Sequence, residues 1–429
     1  MQTAAQSAPT PAREPLPKRF CNLDRLLHAM AARGLDGIVA TTAQNVFYLT
    51  GFNAIAHKSD EPRPCAVLLS RHAPEHAIML VADYYLATFL AQPTWVEDLR
   101  PFRAVMMPLD LPPARTDIGR FIPGRGVGIA WLERARQNYA FDMGTALRGA
   151  LQDLKLDQGR VAFDDPGFGT RLGLDTAAVT DGYDAFMFAR AVKTGAELRL
   201  LERATLLNEA AIRRTIAAWE RGMTWRDLGH QYARAVADLG GFVRDPGAMV
   251  WNHPPGADAT ISLQTGLENG EIGRGSHVMF DCHGTLDLYC WDGGKTWVVD
   301  GQPEAAGKRN AETTARVAEA LLAAMRPGAR VSALQSHARE VYRRAGLPNS
   351  SQAIIFFHGL GLSHMDLEQR SADGKANGDW MLEQGMVVPL HLLVPGGERG
   401  RYWLEEVVVV TESGGRPLFS WGFGPLVSD

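Results

Sequence analysis

The sequence feature that most constrains the fold lies at residues 280–293, FDCHGTLDLYCWDG, where two apolar runs each contain an aspartate. Apolar runs joined by a short polar turn are typical of a β-hairpin. If the turn is centred on Leu286 and Asp287, Asp281 and Asp292 lie directly opposite each other, with Cβ atoms about 5 Å apart. Two carboxylates that close in an apolar sheet repel each other, and a bound cation removes that cost. The alternative is that both aspartates lie on a solvated outer face.

Further apolar runs in the carboxy-terminal half also carry polar residues. The run AIIFFHG ends near His358, MVVPLHLLV contains His391, and YWLEEVVVV contains Glu405 and Glu406. Because neighbours on a strand face opposite sides, one of the two glutamates must point inward. Each residue alone is typical of a hydrogen-bonded core histidine or an edge charge. Together, inward-facing aspartate, histidine and glutamate are the donor types of a metal site.

The composition disfavours several classes of partner. With 429 residues, 46% hydrophobic and 21% charged, the chain is long enough for two or three globular domains. The formal net charge of −4 is small and no stripe of Lys or Arg stands out, so we expect neither nucleic acid nor a membrane as a partner. The four cysteines show no C-x-x-C spacing, which favours a reducing, cytoplasmic location.

Residues 1–18 contain four prolines among small polar residues. They lack the apolar segment of a signal peptide or a membrane anchor. We therefore expect a disordered or extended leader over residues 1–18. An arm that packs on a partner subunit is the alternative.

The remaining chain shows two patterns of helix and strand signals. Over residues 19–185, an amphipathic helix that ends at Gly34, a buried strand at Gly37–Ala40 and later apolar runs predict an α/β domain. Over residues 187–429, Thr194 and Glu197 form a capping box at the start of a helix. Further helices at about residues 225–239 and 309–325 are interleaved with strand signals, which predicts a second, α+β domain.

These motifs resemble the creatinase–prolidase–methionine aminopeptidase superfamily over nearly the whole chain. The segment GLDGIVATTAQNVFYLTGF is similar to the start of the creatinase-type amino-terminal domain, and AVKTGAELRLLERA to the entry of the catalytic domain. Asp281 and Asp292, eleven residues apart, match the paired aspartates of the family. His358 in an H-G-x-G-L setting and Glu405 before TESG match its histidine and final glutamate. The resemblance implies an α/β amino-terminal domain followed by an α+β pita-bread catalytic domain, in the Xaa-Pro peptidase-like branch.

The resemblance also implies a modified metal site. The implied ligands are Asp281, Asp292, His358, His391 and Glu405. His391 stands where the family has a metal-binding glutamate, so the charge of the site differs from that of the family. Asp292, His358, His391 and Glu405 suffice for one ion, and Asp281 could complete a second site. This donor set suits one or two divalent ions of Mn, Fe, Co or Zn.

The resemblance implies catalytic and substrate-binding residues as well. His364, six residues after His358, is a candidate proton donor or oxyanion partner, and His358 and Glu405 are candidates for the catalytic centre. Family peptidases carry a histidine upstream of the first aspartate, where this chain has Gln264. The expected substrate-binding residues are His253, Trp291, Trp403 and Arg401. Trp291 and Trp403 are close in sequence to Trp297 and Tyr402, and these aromatic residues could together bind a cationic solute. The alternative is that they pack in the core and at a dimer interface.

Three functions remain open at this stage. We expect first a metal-dependent hydrolase that cleaves a C–N bond in a short peptide, as an Xaa-Pro dipeptidase or aminopeptidase does. The second is a creatinase-like hydrolase or lyase that acts on a small cationic or zwitterionic solute, with or without metal. The third is a non-catalytic binding protein on the same fold. Members of the family are commonly homodimers, so the resemblance implies a homodimer.

Overall fold

The structure is a computed structural model that describes residues 19–53, 65–92, 94–104, 118–244, 249–251, 270–348, 350–395 and 399–427. The leader, His253 and Gln264 lie outside these residues. The described residues divide into two compact units. The amino-terminal unit runs to Arg190 and also takes in Glu368–Asn377, whereas the carboxy-terminal unit is drawn from Ala191–Leu367 and Gly378–Asp429. No described helix is both long enough and apolar enough to cross a membrane.

The amino-terminal unit contains a six-stranded mixed sheet. Its strands are β1 (Gly37–Ala40), β2 (Cys65–Ser70), β3 (Ile78–Ala82), β4 (Asp98–Phe102), β5 (Val161–Phe163) and β6 (Val179–Asp181). Its helices are α1 (Leu23–Ala32), α2 (Ala43–Thr50), α3 (Thr88–Ala91), α4 (Ala130–Gln137), α5 (Met143–Asp153), α6 (Pro166–Arg171) and α7 (Tyr183–Ala191). The strand order is β4-β3-β2-β1-β5-β6, with antiparallel pairs β1–β2 and β2–β3 and parallel pairs elsewhere. The strand at Gly37–Ala40 is confirmed, and Gly34, with φ of 64°, follows the first helix as predicted.

The carboxy-terminal unit contains four described helices and eleven described strands. The helices are α8 (Gly195–Ala217), α9 (Trp225–Asp238), α10 (Ala305–Ala324) and α11 (Val331–Arg344). The strands are β7 (Phe242–Val243), β8 (Met249–Trp251), β9 (His277–Asp281), β10 (Gly284–Leu286), β11 (Tyr289–Trp291), β12 (Gly294–Val298), β13 (Ile354–Phe357), β14 (Val387–Val394), β15 (Tyr402–Thr411), β16 (Gly414–Pro417) and β17 (Leu426–Val427). The large sheet follows the order β13-β14-β15-β12-β9-β8, β16 pairs with β15, and β17 pairs with β12. A smaller sheet has the order β11-β10-β7.

Side-chain alternation gives the two faces of β14 and β15 opposite roles. Leu390 and Leu404 pack into a hydrophobic core shared with α10 and α11. His391 and Glu405, which are directly paired, therefore point to the other face. Glu406 is buried as well, and its Oε1 accepts hydrogen bonds of 3.1 and 3.0 Å from the backbone N–H groups of residues 418 and 419. The helices cover the face that carries Leu390 and Leu404, and the candidate ligands His391 and Glu405 point to the other face.

The register of the acidic hairpin differs from the predicted one. The turn is centred on Asp287 and Leu288, whose φ values of 48° and 68° are those of a type I′ turn. Gly284 is consequently paired with Trp291, and the indole leaves no room for a side chain, because a Cβ on Gly284 would lie 1.9 Å from its Cζ2 atom. Extended along the strands, this register places Asp292 opposite His283. The two aspartates share a face, but Asp281 is a diagonal rather than a direct neighbour of Asp292.

Candidate metal centre

The predicted ligands are carried by adjacent strands of the large sheet. Asp281 ends β9, Asp292 lies between β11 and β12, and His358 directly follows β13. His391 lies in β14 and Glu405 in β15. Because the sheet order places β13, β14, β15, β12 and β9 side by side, residues from distant parts of the chain meet on one face.

The first group of candidate ligands is buried. Asp292, His358, His391 and Glu405 each offer one ligand atom, and these atoms all lie within 4.8 Å of one another. His391 Nε2 is 2.8 Å from Glu405 Oε1, and His358 Nε2 is 3.2 Å from Asp292 Oδ2. We call these four residues the inner cluster. Two imidazoles and two carboxylates are donors that suit a borderline divalent ion.

The hydrogen bonding of the inner cluster fits a metal. Among the described residues, His358 Nε2 and both carboxylate oxygens of Glu405 are buried without a hydrogen-bond partner. His358 Nδ1 lies 3.0 Å from the Gly359 carbonyl oxygen, to which it can only donate, so the lone pair of the neutral ring is on Nε2. Buried polar atoms without partners are rare in proteins. Buried lone pairs that point toward one another are the arrangement that a bound cation requires. The residues present therefore fit a divalent metal ion.

The electrostatics of the inner cluster agree with this arrangement. Burial, reinforced by the charges of Asp292 and Asp281, raises the pKa of Glu405 well above its ordinary range. Burial together with the nearby His358 lowers the pKa of His391 well below its ordinary range. A neighbouring cation would favour the ionised form of the Glu405 carboxyl. It would also bind the free lone pair of the neutral His391 imidazole.

A second group of candidate ligands lies beside the first and shares Asp292 with it. Its members are His283, Asp292 and His364, and we call it the outer cluster. His364 Nε2 lies 2.7 Å from Asp292 Oδ2, and His283 Nε2 lies 3.2 Å from Asp292 Oδ1. The His283 and His364 side chains are 22% and 41% exposed, unlike the inner cluster. Burial opposes protonation of His283, but the carboxylates of Asp292 and Asp281 outweigh it and raise its pKa to about 9.

His283 was not among the site residues expected from the sequence. It is two residues after Asp281, and residues separated by two on a strand share a face. The structure brings them together, with His283 Nε2 3.1 Å from Asp281 Oδ1. Strand alternation over residues 281–283 was the signal that could have indicated this histidine. His364, which the sequence analysis did identify, lies at the centre as a neighbour of Asp292.

A buried ion pair holds the loop that carries the two histidines after β13. Lys193 Nζ lies 3.2 Å from Asp366 Oδ2, and both side chains are almost completely buried. A Cβ on Gly361 would lie 1.9 Å from Asp366 Oδ2, and one on Gly359 would lie 2.3 Å from the Asp366 carbonyl oxygen. The glycines of the H-G-L-G-L segment are therefore needed because the loop folds back on Asp366.

Two aromatic side chains flank His391. The Phe356 ring is stacked on the imidazole, with centroids 3.7 Å apart and an angle of 20° between the planes. Trp403 approaches the same imidazole edge-on, with centroids 5.7 Å apart. Trp403 is buried, whereas Phe356 is 40% exposed. Of the expected substrate-binding residues in the described chain, Trp403 is the one that contacts a candidate ligand.

The structure places Trp291 and Arg401 in the interior of the carboxy-terminal unit. Trp291 is fully buried, and its Nε1 donates a 3.1 Å hydrogen bond to the Tyr232 hydroxyl. Because Asp292 faces the centre, the preceding residue faces the opposite side and enters the core under α8 and α9. Arg401 is also buried, and its Nη2 donates to the His277 carbonyl oxygen at 3.2 Å. Core packing, the alternative stated for the aromatic residues, describes Trp291, and the prediction for His253 lies outside the described residues.

Two sequence families match the chain. The creatinase/prolidase N-terminal domain matches residues 22–165, and metallopeptidase family M24 matches residues 199–412. Among curated proteins, the putative dipeptidase YkvY of Bacillus subtilis is 27% identical over 233 residues. That match covers 52% of this chain and 59% of the relative, so the chain matches less than two thirds of the length of this relative.

Solved structures share the fold over nearly the whole chain. A dipeptidase from Pyrococcus horikoshii OT3 superposes with a TM-score of 0.67 and 19% identity, covering 95% of this chain and 99% of the other. The X-Pro aminopeptidase from Thermotoga maritima MSB8 gives a TM-score of 0.62 and 16% identity, covering 94% and 99%. An Xaa-Pro dipeptidase from Bacillus anthracis gives 0.61 and 16%, covering 95% and 99%. With the two family matches in the expected order, the chain belongs to the creatinase/prolidase superfamily, with a creatinase-type amino-terminal domain followed by a pita-bread catalytic domain of metallopeptidase family M24.

Proposed function

We propose that the protein is a metal-dependent hydrolase that cleaves a C–N bond of the peptide type, with short Xaa-Pro peptides as the first substrates to test. The observation that carries this proposal is the inner cluster, in which His358 Nε2 and both carboxylate oxygens of Glu405 are buried without a hydrogen-bond partner among the described residues. The match to a metallopeptidase family supports it. So do the similar structures, which include a dipeptidase and an X-Pro aminopeptidase.

The four residues of the inner cluster would hold one ion of Mn, Fe, Co or Zn. When bound, such an ion supplies a Lewis acid beside a scissile carbonyl. Glu405 has two carboxylate oxygens, so one can serve as a ligand while the other accepts a proton from the attacking water. His358 keeps its Nε2 lone pair for the ion because its Nδ1 is bound to the Gly359 carbonyl oxygen.

His364 is placed to act on the substrate. Its Nε2 lies 2.7 Å from Asp292 Oδ2, which leaves Nδ1 as the ring atom available to a ligand. Its side chain is 41% exposed, so a substrate can reach it. The Asp292 carboxylate accepts from Nε2–H, so the imidazolium form of the ring is the one that would donate a hydrogen bond from Nδ1 to the oxygen that becomes negatively charged during amide hydrolysis. We propose this role for His364, alongside those of His358 and Glu405.

Metal analysis of protein purified without chelator tests the proposal. We expect at least one equivalent of Mn, Fe, Co or Zn in the wild type and loss of the inner ion in Asp292→Asn and His391→Ala. Hydrolysis of Xaa-Pro dipeptides should follow the metal content. A wild type that takes up no metal after reloading, or metal-loaded protein that hydrolyses no peptide, would contradict the proposal. Circular dichroism of both variants controls for misfolding.

A second candidate function is the cleavage of a small cationic or zwitterionic solute. Phe356 supports it, because an aromatic face that is 40% exposed beside the candidate ligand His391 can attract a methylated ammonium group. Calorimetry with glycine betaine as the probe distinguishes the two functions. Binding that is lost in Phe356→Ala but kept in Phe356→Tyr favours the solute, and no binding favours the peptide. A protein that binds neither metal nor solute would be a non-catalytic member of the fold.

We also propose that the protein is a cytoplasmic homodimer. The cytoplasmic location is supported by the cysteines, all four of which are buried thiols that are not part of a disulfide. The homodimer is an expectation from the family, and light scattering of the purified protein tests it. A monomer at micromolar concentration would contradict the expectation.

A further inference from the structure

We propose that Asn208, held by Tyr232, is a positioning residue for the candidate ligand Asp292. Asn208 and Tyr232 are not members of the inner cluster. They act through the backbone at Gly293, the residue that follows Asp292, and Glu405 of the inner cluster packs on the same piece of backbone. This role rests on the proposed function, since it requires that the two carboxylates bind the ion.

The backbone that carries Asp292 has little stiffness of its own. Gly293 and Gly294 follow it, with φ values of 87° and 152° in a region that favours glycine. Glycine also adopts other conformations easily, so contacts from elsewhere in the fold must hold this shape. Gly293 N donates a 2.9 Å hydrogen bond to Asp292 Oδ1, which ties the carboxylate to the same peptide. A shift of this backbone would therefore move the carboxylate.

Glu405 packs against the same glycines. A Cβ on Gly293 would lie 2.9 Å from Glu405 Cγ and 2.9 Å from the Glu405 carbonyl oxygen. Gly294 is directly paired with Glu405 across β12 and β15. The backbone that follows Asp292 therefore sets how the two carboxylates of the inner cluster lie relative to each other.

Asn208 supplies a contact to this backbone from α8. Its side chain is completely buried, and its Nδ2 donates a 2.9 Å hydrogen bond to the Gly293 carbonyl oxygen. The same oxygen accepts a 3.2 Å hydrogen bond from Cys282 N. Ala204 and Ala211, one turn before and after Asn208 on α8, belong to a hydrophobic core. An amide is costly to bury in such surroundings, and its hydrogen bonds must offset that cost.

Tyr232 on α9 determines which end of the Asn208 amide faces the glycine. Its hydroxyl donates a 2.7 Å hydrogen bond to Asn208 Oδ1 and accepts one of 3.1 Å from Trp291 Nε1. Because an indole N–H can only donate, the direction of these hydrogen bonds is fixed from Trp291 onward. With its oxygen bound to the hydroxyl, the amide presents its NH2 group to the Gly293 carbonyl oxygen.

The variant Asn208→Leu separates positioning from stability. Leucine has nearly the same shape as asparagine and suits the surrounding core. In this variant the Gly293 carbonyl oxygen keeps its bond from Cys282 N, and the Tyr232 hydroxyl keeps its bond from Trp291 Nε1. We therefore expect a modest loss of stability, measured by urea denaturation of the metal-free protein. Zinc affinity should fall on the order of 10-fold, the effect of losing an outer partner of a metal ligand.

Calorimetric titration of the chelator-stripped protein with zinc chloride measures this affinity. Tyr232→Phe should weaken zinc binding by less than Asn208→Leu, because the amide remains but loses its fixed orientation. Thr215→Val is the matched control. Thr215 is also buried in α8, about two turns after Asn208, and its Oγ1 donates to the Ala211 carbonyl oxygen at 2.8 Å. This control should bind zinc as the wild type does.

The visible absorption spectrum of the Co²⁺-loaded protein gives a readout that a change of stability alone would not alter, because it depends on the geometry of the ligands. Asn208→Leu and Tyr232→Phe should shift the absorption bands, and Thr215→Val should keep them.

A wild type that binds metal, together with an Asn208→Leu variant of equal affinity and identical spectrum, would overturn the inference and leave the proposed function intact. If Asn208→Leu fails to fold, Tyr232→Phe decides the question, and an unchanged spectrum in that variant would overturn the inference. An equal shift in Thr215→Val would also overturn it, since the effect would then be common to buried polar groups of α8. A wild type that takes up no metal would overturn both.

Discussion

Phe356 and His391 are directly paired across β13 and β14, and their rings are stacked with centroids 3.7 Å apart. The phenyl ring therefore fixes the plane of an imidazole whose Nε2 is 2.8 Å from Glu405 Oε1. Trp403 meets the same imidazole edge-on from β15. The ring of His391 is held from two sides, which orients a candidate ligand without a hydrogen bond to its Nδ1 among the described residues.

Removal of the Phe356 ring should loosen this ligand. We expect Phe356→Ala to weaken binding of the inner ion on the order of 10-fold, because the imidazole gains freedom that binding must then remove. Phe356→Tyr should bind the ion as the wild type does, since it keeps the ring. Zinc titration of both variants measures the effect. Equal affinity in Phe356→Ala would mean that the strand alone orients His391.

The ion pair of Lys193 and Asp366 should be essential for the loop that carries His358 and His364. Both side chains are buried, and Lys193 Nζ lies 3.2 Å from Asp366 Oδ2. Lys193→Met therefore leaves the Asp366 carboxylate in the core without the ammonium group that neutralises it. We expect a loss of about 3–5 kcal/mol of unfolding free energy, measured by urea denaturation. The double variant Lys193→Met with Asp366→Asn should recover part of it. If the double variant is no more stable than the single one, the charge of Asp366 is not the cause.

Substitution of Asp164 should destabilise the amino-terminal unit and leave the metal centre unchanged. Its Oδ1 accepts hydrogen bonds from Thr41 N at 2.9 Å and Thr41 Oγ1 at 2.6 Å. Its Oδ2 accepts from Thr42 N at 2.9 Å and Asn45 Nδ2 at 3.0 Å. Asp164→Ala leaves the donors of Thr41 and Asn45 buried and unsatisfied, so we expect at least about 3 kcal/mol of destabilisation.

The neighbouring variant Asp165→Ala serves as the control for Asp164, because Asp165 pairs with the largely exposed Arg171 at 3.3 Å. It should change the unfolding free energy by less than about 1 kcal/mol. The number of zinc equivalents should be the same in both variants, since neither residue belongs to a metal cluster. A change in zinc stoichiometry in Asp164→Ala would contradict the separation of the two effects.

Glu197 should make stability depend on pH. Burial raises the pKa of its carboxyl from 4.5 to about 7, although Lys193 and a 3.0 Å hydrogen bond from the Tyr289 hydroxyl oppose the shift. The folded chain therefore holds this proton more tightly than the unfolded chain. The contribution to stability is complete below the ordinary pKa of 4.5 and is lost as the pH rises through about 7. The loss amounts to roughly 3 kcal/mol.

Glu197→Gln should remove this contribution, since an amide does not titrate over that range. Urea denaturation at a series of pH values should show a smaller loss of stability between about pH 5 and pH 8 in the variant than in the wild type. Glu202→Gln, on the same helix, should keep the wild-type profile, because the Glu202 side chain is 40% exposed and not buried as Glu197 is. A variant with the wild-type slope would assign the pH dependence to another group.

Local signals allowed much of the fold to be predicted. Thr194 and Glu197 form the capping box that the sequence indicated, and α8 begins at the next residue, Gly195. The helix predicted at about 225–239 is observed at Trp225–Asp238. Helix α11, in contrast, was not predicted, and its first residue follows Arg330, which makes no side-chain cap. The start of a helix without a cap leaves little trace in the sequence.

The residues of the metal centre could be predicted from the sequence, but their arrangement in space could not. Strand alternation identified Asp281, Asp292, His391 and one of two adjacent glutamates as inward-facing. The hairpin register depended on how Trp291 packs over Gly284, which is a property of the folded core rather than of the local sequence. The same packing decided that Trp291 enters the core, which the sequence could not distinguish from a place at the site.

The pairing of β12 with β15 has a consequence for the order of folding. The acidic hairpin and the β14–β15 hairpin each close a short stretch of chain, which costs little entropy and is fast. Gly294 and Glu405 are paired across a much longer stretch, so the two hairpins join only when that non-local contact forms. Neither cluster is complete before this step. A bound cation should therefore leave the folding rate nearly unchanged and slow unfolding, so that it lengthens the lifetime of the native protein.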